Sequence, residues 1–492
     1  MKDFLRSLAV VCVFLVVVAA GLYFFFGLRL VADGGGVPHL RFVPSAAASA
    51  DAIEKHRAAQ RAAAPAMDVA ALTPVAAPTP VAANVATTPV VDAPPALNAA
   101  KDPVLASAYW TDFRGPRRDG AYTEVAVRTS WPAGGLKPQW KQPIGGGYAS
   151  FAIARGRAFT IEQRRDQEVV AAYDVVTGRE LWTQKYDAAF REVMGGDGPR
   201  ATPTWSDGLV YSLGALGELR CLDEKTGAVI WRVNILDDNG AANLQWGMSA
   251  SPLIVDDTVV VLPGGPNGKS VVAYDRRTGK RAWSSLSDRQ AYVAPMLATV
   301  AGVRQLIVVS ASRMIGLSPD KGELLWEYSW TTSYDINAAQ PLLVSPTRLF
   351  ISSGYGQGAA VIEVSAAGGA LSAREVWKNV RMKNRFASSV LHDGFIYGFD
   401  ENILACMDAA TGALKWKGGR YGYGELILAS GQLIVLSEDG ELALVRAAPT
   451  AHEELARGPA LEGKTWNHPA MDRGILLIRN AQEMAAFDLR LK

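Results

Sequence analysis

The side chains able to do acid–base, nucleophilic or metal chemistry are scattered along this sequence of 492 residues. The histidines are His39, His56, His392, His452 and His468, and no two stand at metal-ligand spacing. Each reads as a lone loop or tail residue. Cys12, Cys221 and Cys406 are far apart, with no CxxC, so a zinc site is not expected. Cys221 and Cys406 read as small buried residues. The stretch PGGPNGKS (Pro263 to Ser270) imitates a phosphate loop, but proline stands where the first glycine belongs, so it reads as a hairpin turn. Asp256–Asp257, Asp400–Glu401 and Glu438–Asp439 are acidic pairs in turn contexts. Catalytic carboxylates must share a cleft, and these read instead as solvent-side hairpin caps. No catalytic residue and no metal ligand is assigned.

A second set of side chains suits binding better than catalysis. The segments GGGYAS, GGDGPRATP, NLQWGMSASP, RQAYVAP, YDINAAQP, KNRFASS, RYGYGE and TWNHPAM each lead into a short apolar run. They carry Tyr148, Arg200, Gln245, Trp246, Arg289, Tyr292, Tyr334, Asp335, Asn337, Arg385, Arg420, Tyr421, Tyr423, Trp466 and His468. Aromatics mixed with arginine are typical of interaction hot spots. These residues make one site only if the fold brings eight distant loops together.

The elements that would do so are repeated. Short runs of alternating apolar and polar residues, bounded by Gly, Asp and Asn, read as antiparallel strands and hairpins. No long 3.6-period segment interrupts them. The pattern D-x-x-T-G-x-x-x-W occurs in full four times. Its members are Asp174, Thr177, Gly178 and Trp182; Asp223, Thr226, Gly227 and Trp231; Asp275, Thr278, Gly279 and Trp283; and Asp408, Thr411, Gly412 and Trp416. The aspartate is suited to accept backbone N–H groups of the turn, and the glycine to supply a positive φ. The tryptophan is suited to pack one unit on the next. Trp326 and Trp377 belong to degenerate units, and the six tryptophans recur at intervals of roughly 40–50 residues. Four short strands per such period specify an all-β β-propeller.

The two ends complement each other. MAAFDLRLK begins the motif at Asp488 and stops before its last strand, while LKPQWKQPI supplies a lone strand with Trp140, in step with the series. The N-terminal strand is therefore expected to complete the last blade, which leaves no open sheet edge at the seam. With a degenerate unit near Leu442, the expectation is eight four-stranded blades across 137–492, after a lead-in at 108–136.

The N-terminal region is of another kind. After a short cytoplasmic segment (1–7), the uncharged run 8–28 is long enough to cross a bilayer as a helix, and its bulky exit is a poor cleavage site. It is expected to be an uncleaved signal anchor, placing a single-pass protein in the cytoplasmic membrane with its propeller on the periplasmic side. Residues 29–107, rich in Ala and Pro, read as a flexible, disordered spacer. Within them SADAIEKHRAAQRAAA has the composition of a short helix. A net charge of +2 argues against nucleic acid as a partner.

The repeat resembles that of the pyrroloquinoline-quinone-like, or quinoprotein-type, propeller superfamily. YWTDFRGPRRDG, 109–120, is similar to an opening that precedes such propellers in bacterial exported proteins. The resemblance implies two alternatives. In quinoprotein dehydrogenases of alcohols or sugars, PQQ and calcium lie at the centre of the ring. The methanol-dehydrogenase type adds a vicinal disulfide, and this sequence has no adjacent cysteines, no CxxCH and none of the long insertions. The other branch is non-catalytic, similar to the propeller lipoprotein of the outer-membrane β-barrel assembly machine, and binds protein through its loops. The compact repeats match this branch better. The expectation is a monomeric, cofactor-free scaffold for envelope proteins, with a small-ligand sensor as a further alternative.

Overall fold

The computed structural model describes residues 2–25, 27–31, 39–42, 45–63, 108–132 and 134–491. Ahead of the blades stand α1 (Lys2–Phe25), the antiparallel pair β1 (Leu28–Val31) and β2 (His39–Phe42), and α2 (Ala46–Ala63). Among the described residues, no helix is long and apolar enough to cross a membrane. The lead-in contributes β3 (Ala121–Tyr122), and β4 (Trp140–Pro143) precedes the first full blade.

That blade is β5 (Ala152–Ala154), β6 (Arg157–Arg164), β7 (Gln167–Asp174) and β8 (Glu180–Asp187), hydrogen-bonded in sequence order. Six more four-stranded antiparallel meanders follow. The eighth sheet joins Ala470–Asp472, Ile475–Arg479 and Glu483–Asp488 to β4, with Trp140 opposite Ala486. The ring is thus eight-bladed and closed by its two chain ends, as the sequence implied.

The motif residues act as the spacing suggested. Asp174 Oδ1 accepts hydrogen bonds from the Val176 and Thr177 amides at 3.1 and 2.8 Å and from the Thr177 hydroxyl at 2.8 Å. Asp223 and Asp275 repeat all three bonds, while Asp408 accepts the two amides. Gly178, Gly227, Gly279 and Gly412 have φ near +70°, where a side chain is strained. Each of these glycines also lies against the indole of the preceding blade. A Cβ on Gly227 would stand 2.5 Å from Trp182, and one on Gly279 would stand 2.7 Å from Trp231. The indole Nε1 groups then donate to the next blade's turn, Trp182 to Glu224 O and Trp231 to Arg276 O, both at 2.9 Å. One motif therefore makes both halves of each blade-to-blade joint.

The degenerate unit tests that logic. The blade after Trp326 has a lengthened hairpin, where a Cβ on Gly368 or Gly369 would meet nothing within 4 Å. Trp326 turns to Gln305 of its own blade instead. Inter-blade cores are apolar; Tyr211, Cys221 and Trp231 pack with Val259, Val272 and Tyr274 of the next blade. Cys221 and Cys406 are buried and unpaired. Burial pushes their thiols up to about 12 and about 11.

Within the stretch read as a flexible spacer, the short helix that its composition suggested is present. Residues 46–63 form α2, which rests on the first and last blades, while 64–107 lie outside the described residues.

Candidate functional site

The centre of the ring is filled by the lead-in. Residues 110–120 touch the inner elements of seven blades in turn. Trp110 O accepts from Ile153 N, and Thr111 O from Trp205 N. Arg118 donates to Ser251 O, Pro252 O and Pro295 O, and pairs with Asp112 at 3.0 Å. Arg114 donates to Ser388 O and Ser389 O. Gly120 O accepts from Leu428 N, and β3 adds a parallel fifth strand inside Glu425–Ala429. Phe113 packs edge-on against His468 at 4.8 Å. A segment that reaches seven sides of a ring lies on its axis.

Burial there is severe. Trp110 is 0% exposed, Arg114 1% and Arg118 2%. Desolvation pushes the Arg114 guanidinium down to about 10, against the raising field of Glu425, and lowers Arg118 as well. A ring of backbone carbonyls supplies the hydrogen bonds that make such burial tolerable. Next to Arg114, His468 Nε2 lies 2.9 Å from Glu425 Oε2.

Above these guanidiniums the loops into the inner strands converge on one face. Tyr148 and Trp466 have ring centroids 5.7 Å apart, and Lys464 sits over both. Arg200 lies over Tyr148 and Phe190, and burial lowers its pKa. Trp466 meets Phe386 at 4.7 Å, and Phe386 meets Tyr423 at 5.9 Å. Arg385 lies between Tyr423 and Tyr355. Trp466 and Phe386 come from the loops of the eighth and sixth blades, so the aromatic cluster bridges the mouth rather than lining it singly. Beside it, Trp246 packs on Tyr292 at 5.9 Å. A cleft of about 160 Å³ is bounded by Gln245, Arg289, Tyr292, Tyr334 and Asp335. Arg289 and Asp335 pair at 2.5 Å across it.

The structure thus gathers Tyr148, Arg200, Trp466, Arg385 and Tyr423 into one cluster, and Gln245, Trp246, Arg289, Tyr292, Tyr334 and Asp335 into an adjoining one. Arg420 is exposed at the end of its strand, Leu414–Arg420. Three expected mouth residues do other work. Asn337 is 1% exposed, and its amide ties Ser310 O to the Ser353 hydroxyl. Tyr421, in the loop just past Leu414–Arg420, is buried, and its hydroxyl is held by Glu454 and His452 away from the mouth. His468 is buried behind the mouth against Glu425 and Phe113. Conversely, Phe190, Tyr355, Phe386 and Lys464 join the cluster unannounced. Phe386 lies inside KNRFASS, so the aromatic enrichment already used would have found it. Val193 and Met194, 96% and 63% exposed, form an apolar loop tip on the same face.

The residues on the axis do not fit a flat quinone with a calcium ion. The guanidiniums of Arg114 and Arg118 occupy the centre and are bonded to the blades. Among the described residues no group of three or more His, Cys, Asp or Glu side chains is placed to hold a metal ion.

Residues 165–418 match the family described as outer membrane protein assembly factor BamB. The protein of that name from Bordetella pertussis is 20% identical over 308 residues, 61% of this chain and 72% of its own length. Quinohemoprotein alcohol dehydrogenase ADH-IIG of Pseudomonas putida is 34% identical over 124 residues, which is 23% of this chain but 16% of that enzyme. The crystal structure of BamB from Moraxella catarrhalis matches with a TM-score of 0.52 at 17% identity, over 72% of this chain and 99% of that one. The quinohemoprotein alcohol dehydrogenase of Comamonas testosteroni gives 0.56 at 13% identity, over 80% and 82%. Both structural likenesses speak for the propeller fold, which scaffolds and enzymes share. The family match spans more than half of the sequence, and the chain belongs to the family described as outer membrane protein assembly factor BamB.

Proposed function

We propose that this protein is a non-catalytic scaffold in outer-membrane protein assembly, which binds other envelope proteins through the loop face of its propeller. The observation that carries this reading is the lead-in filling the ring, with Arg114 and Arg118 where a central cofactor would lie. Family membership supports the same direction. The mouth suits a protein partner, since tryptophan, tyrosine and arginine dominate binding energy at interfaces. The apolar tip at Val193 and Met194 adds an anchor beside it. The N-terminal run is proposed to hold the protein in the cytoplasmic membrane, with the propeller in the periplasm; its length and lack of charge support this.

Photo-cross-linking in cells from Val193, Tyr334 and Lys464 tests the proposal. Capture of outer-membrane assembly proteins is expected from these positions. None is expected from the exposed Leu491, which follows Asp488 on the opposite, motif-turn side of the ring. No envelope protein captured from any mouth position overturns it. The dehydrogenase alternative has support in the stretch shared with the Pseudomonas putida enzyme. Titration with the quinone and calcium, with dye reduction by alcohols and sugars as readout, is expected to give neither cofactor absorbance nor activity. Stoichiometric quinone binding would favour the enzyme reading instead.

A further inference from the structure

The two chain ends join inside the last blade, where β4 pairs with Glu483–Asp488, and the seam beside that join is the boundary between β4 and the first blade. It is bridged by α2. Ser45 starts this helix, its hydroxyl accepting from the Ala48 amide at 3.1 Å. Ala50, Ile53 and Arg57 follow at i, i+3 and i+7, one face of a helix, and are 2%, 1% and 2% exposed. Arg57 does most of the bridging. It donates to Gln142 Oε1 and Pro143 O of β4, both at 3.0 Å, and its Nε lies 3.4 Å from Glu180 of the first blade. Its guanidinium also stacks over Tyr173 at 5.1 Å. Gln60 donates to the same Gln142 oxygen at 2.8 Å. Arg165, on the turn of the first blade, pairs with Asp51 and Glu54 of the helix.

The seat is prepared on the blade side. Glu180 and Glu162 already bind Arg164, and Tyr173 donates to Glu162 at 2.7 Å. Gln142 donates its own amide to Gly178 O, the motif glycine of the first blade. A buried network that spans two blades therefore ends in an oxygen and a carboxylate aimed at α2.

We infer that α2 is a built-in clasp on the ring seam, and that the seam groove is a binding site for an amphipathic helix bearing an arginine, filled in this chain by its own residues 46–63. Two consequences follow. The clasp adds a further cross-link to a boundary that the 144–151 connection, the Trp140–Gly178 contact and the Gln142–Gly178 hydrogen bond already span. It also resets the tether: residues 26–45, not 26–107, separate α1 from the propeller. At full extension that is about 70 Å rather than about 290 Å. The tether then ends at the blade boundary, and a pull on it loads the seam.

Hydrogen exchange on the full chain, wild type and the variants Arg57→Glu and Ile53→Asp, tests the clasp. In the wild type, 46–63 is protected. In each variant 46–63 exchanges as an unfolded peptide, and residues 140–143 and 157–164 lose protection by about tenfold, while 313–317, on the far side of the ring, do not change. Spin labels at Ala58→Cys and Lys185→Cys, with Cys12→Ala, give an independent readout: one narrow distance in the clasped chain, broadened by Arg57→Glu. A broad distance without that substitution overturns the inference. So do seam strands that keep full protection after 46–63 has lost its own.

Discussion

The indole of Trp182 lies flat against Gly227 of the following blade, so closely that a Cβ on that glycine would stand 2.5 Å from the ring. Trp140 of β4, which completes the last blade, stands in the same relation to Gly178 of the first blade, with 2.8 Å. The repeat therefore describes a joint rather than a site: Thr-Gly of one blade receives Trp of the one before. The glycine is required twice over, by its positive φ and by the indole beneath it.

Trp182→Ala is expected to destabilise the protein by about 3–5 kcal/mol through the cavity it leaves. Gly227→Ala, which forces both strain and overlap, should cost about 2 kcal/mol or more. Because both substitutions break one joint, the double variant should cost clearly less than the sum. Chemical denaturation of the three variants checks this, and simple additivity would refute the joint.

The turn aspartates make folding acid-sensitive. Hydrogen bonds from the Thr278 hydroxyl and amide hold Asp275 below its usual carboxylate range, and Asp488 is pulled down to about 2, chiefly by Arg490. A lowered folded-state pKa contributes stability above the unfolded value near 4, lost as pH falls through the folded value. Asp275→Asn should lower stability at pH 7 and flatten its decline as the pH falls below about 4. Thermal melts across that range measure the slope.

Arg118 holds three carbonyls from two blades. Arg118→Met removes the guanidinium from Ser251 O and Pro295 O, at about 1–3 kcal/mol for each group not rescued by water, while Pro252 O keeps the Thr204 hydroxyl. Thermal unfolding should fall clearly. The exposed Arg117→Met, paired with Asp119 at the surface, should change stability by less than about 1 kcal/mol.

Thiol labelling separates the cysteines. Cys221 and Cys406 are 0% exposed and their thiols are held protonated by burial, so neither should react with maleimide at about pH 7.5 until the protein unfolds. Labelling of either in the native protein at the rate seen after unfolding would contradict the packing described.

The blade count, the ring closure and the role of Asp174, Thr177, Gly178 and Trp182 were legible in the sequence, because each depends on contacts set by local spacing. A turn carboxylate three residues from its threonine meets it whatever the rest of the chain does. The mouth was legible in part. Loop position placed Tyr148, Arg200 and Trp466 correctly, whereas Asn337, Tyr421 and His468 are turned inward by hydrogen-bond partners from other blades. Two features were decided only by tertiary structure. Residues 110–120 fill the axis because Arg114 and Arg118 find carbonyls on blades more than a hundred residues away. Residues 46–63 clasp the seam because Arg57 meets Gln142 and Glu180, which become neighbours only when β4 takes its place in the last blade and the first blade packs on it. Partners that distant leave no period in the sequence, so composition showed a lead-in and a spacer with a short helix, but not that the one fills the axis and the other docks on the blades.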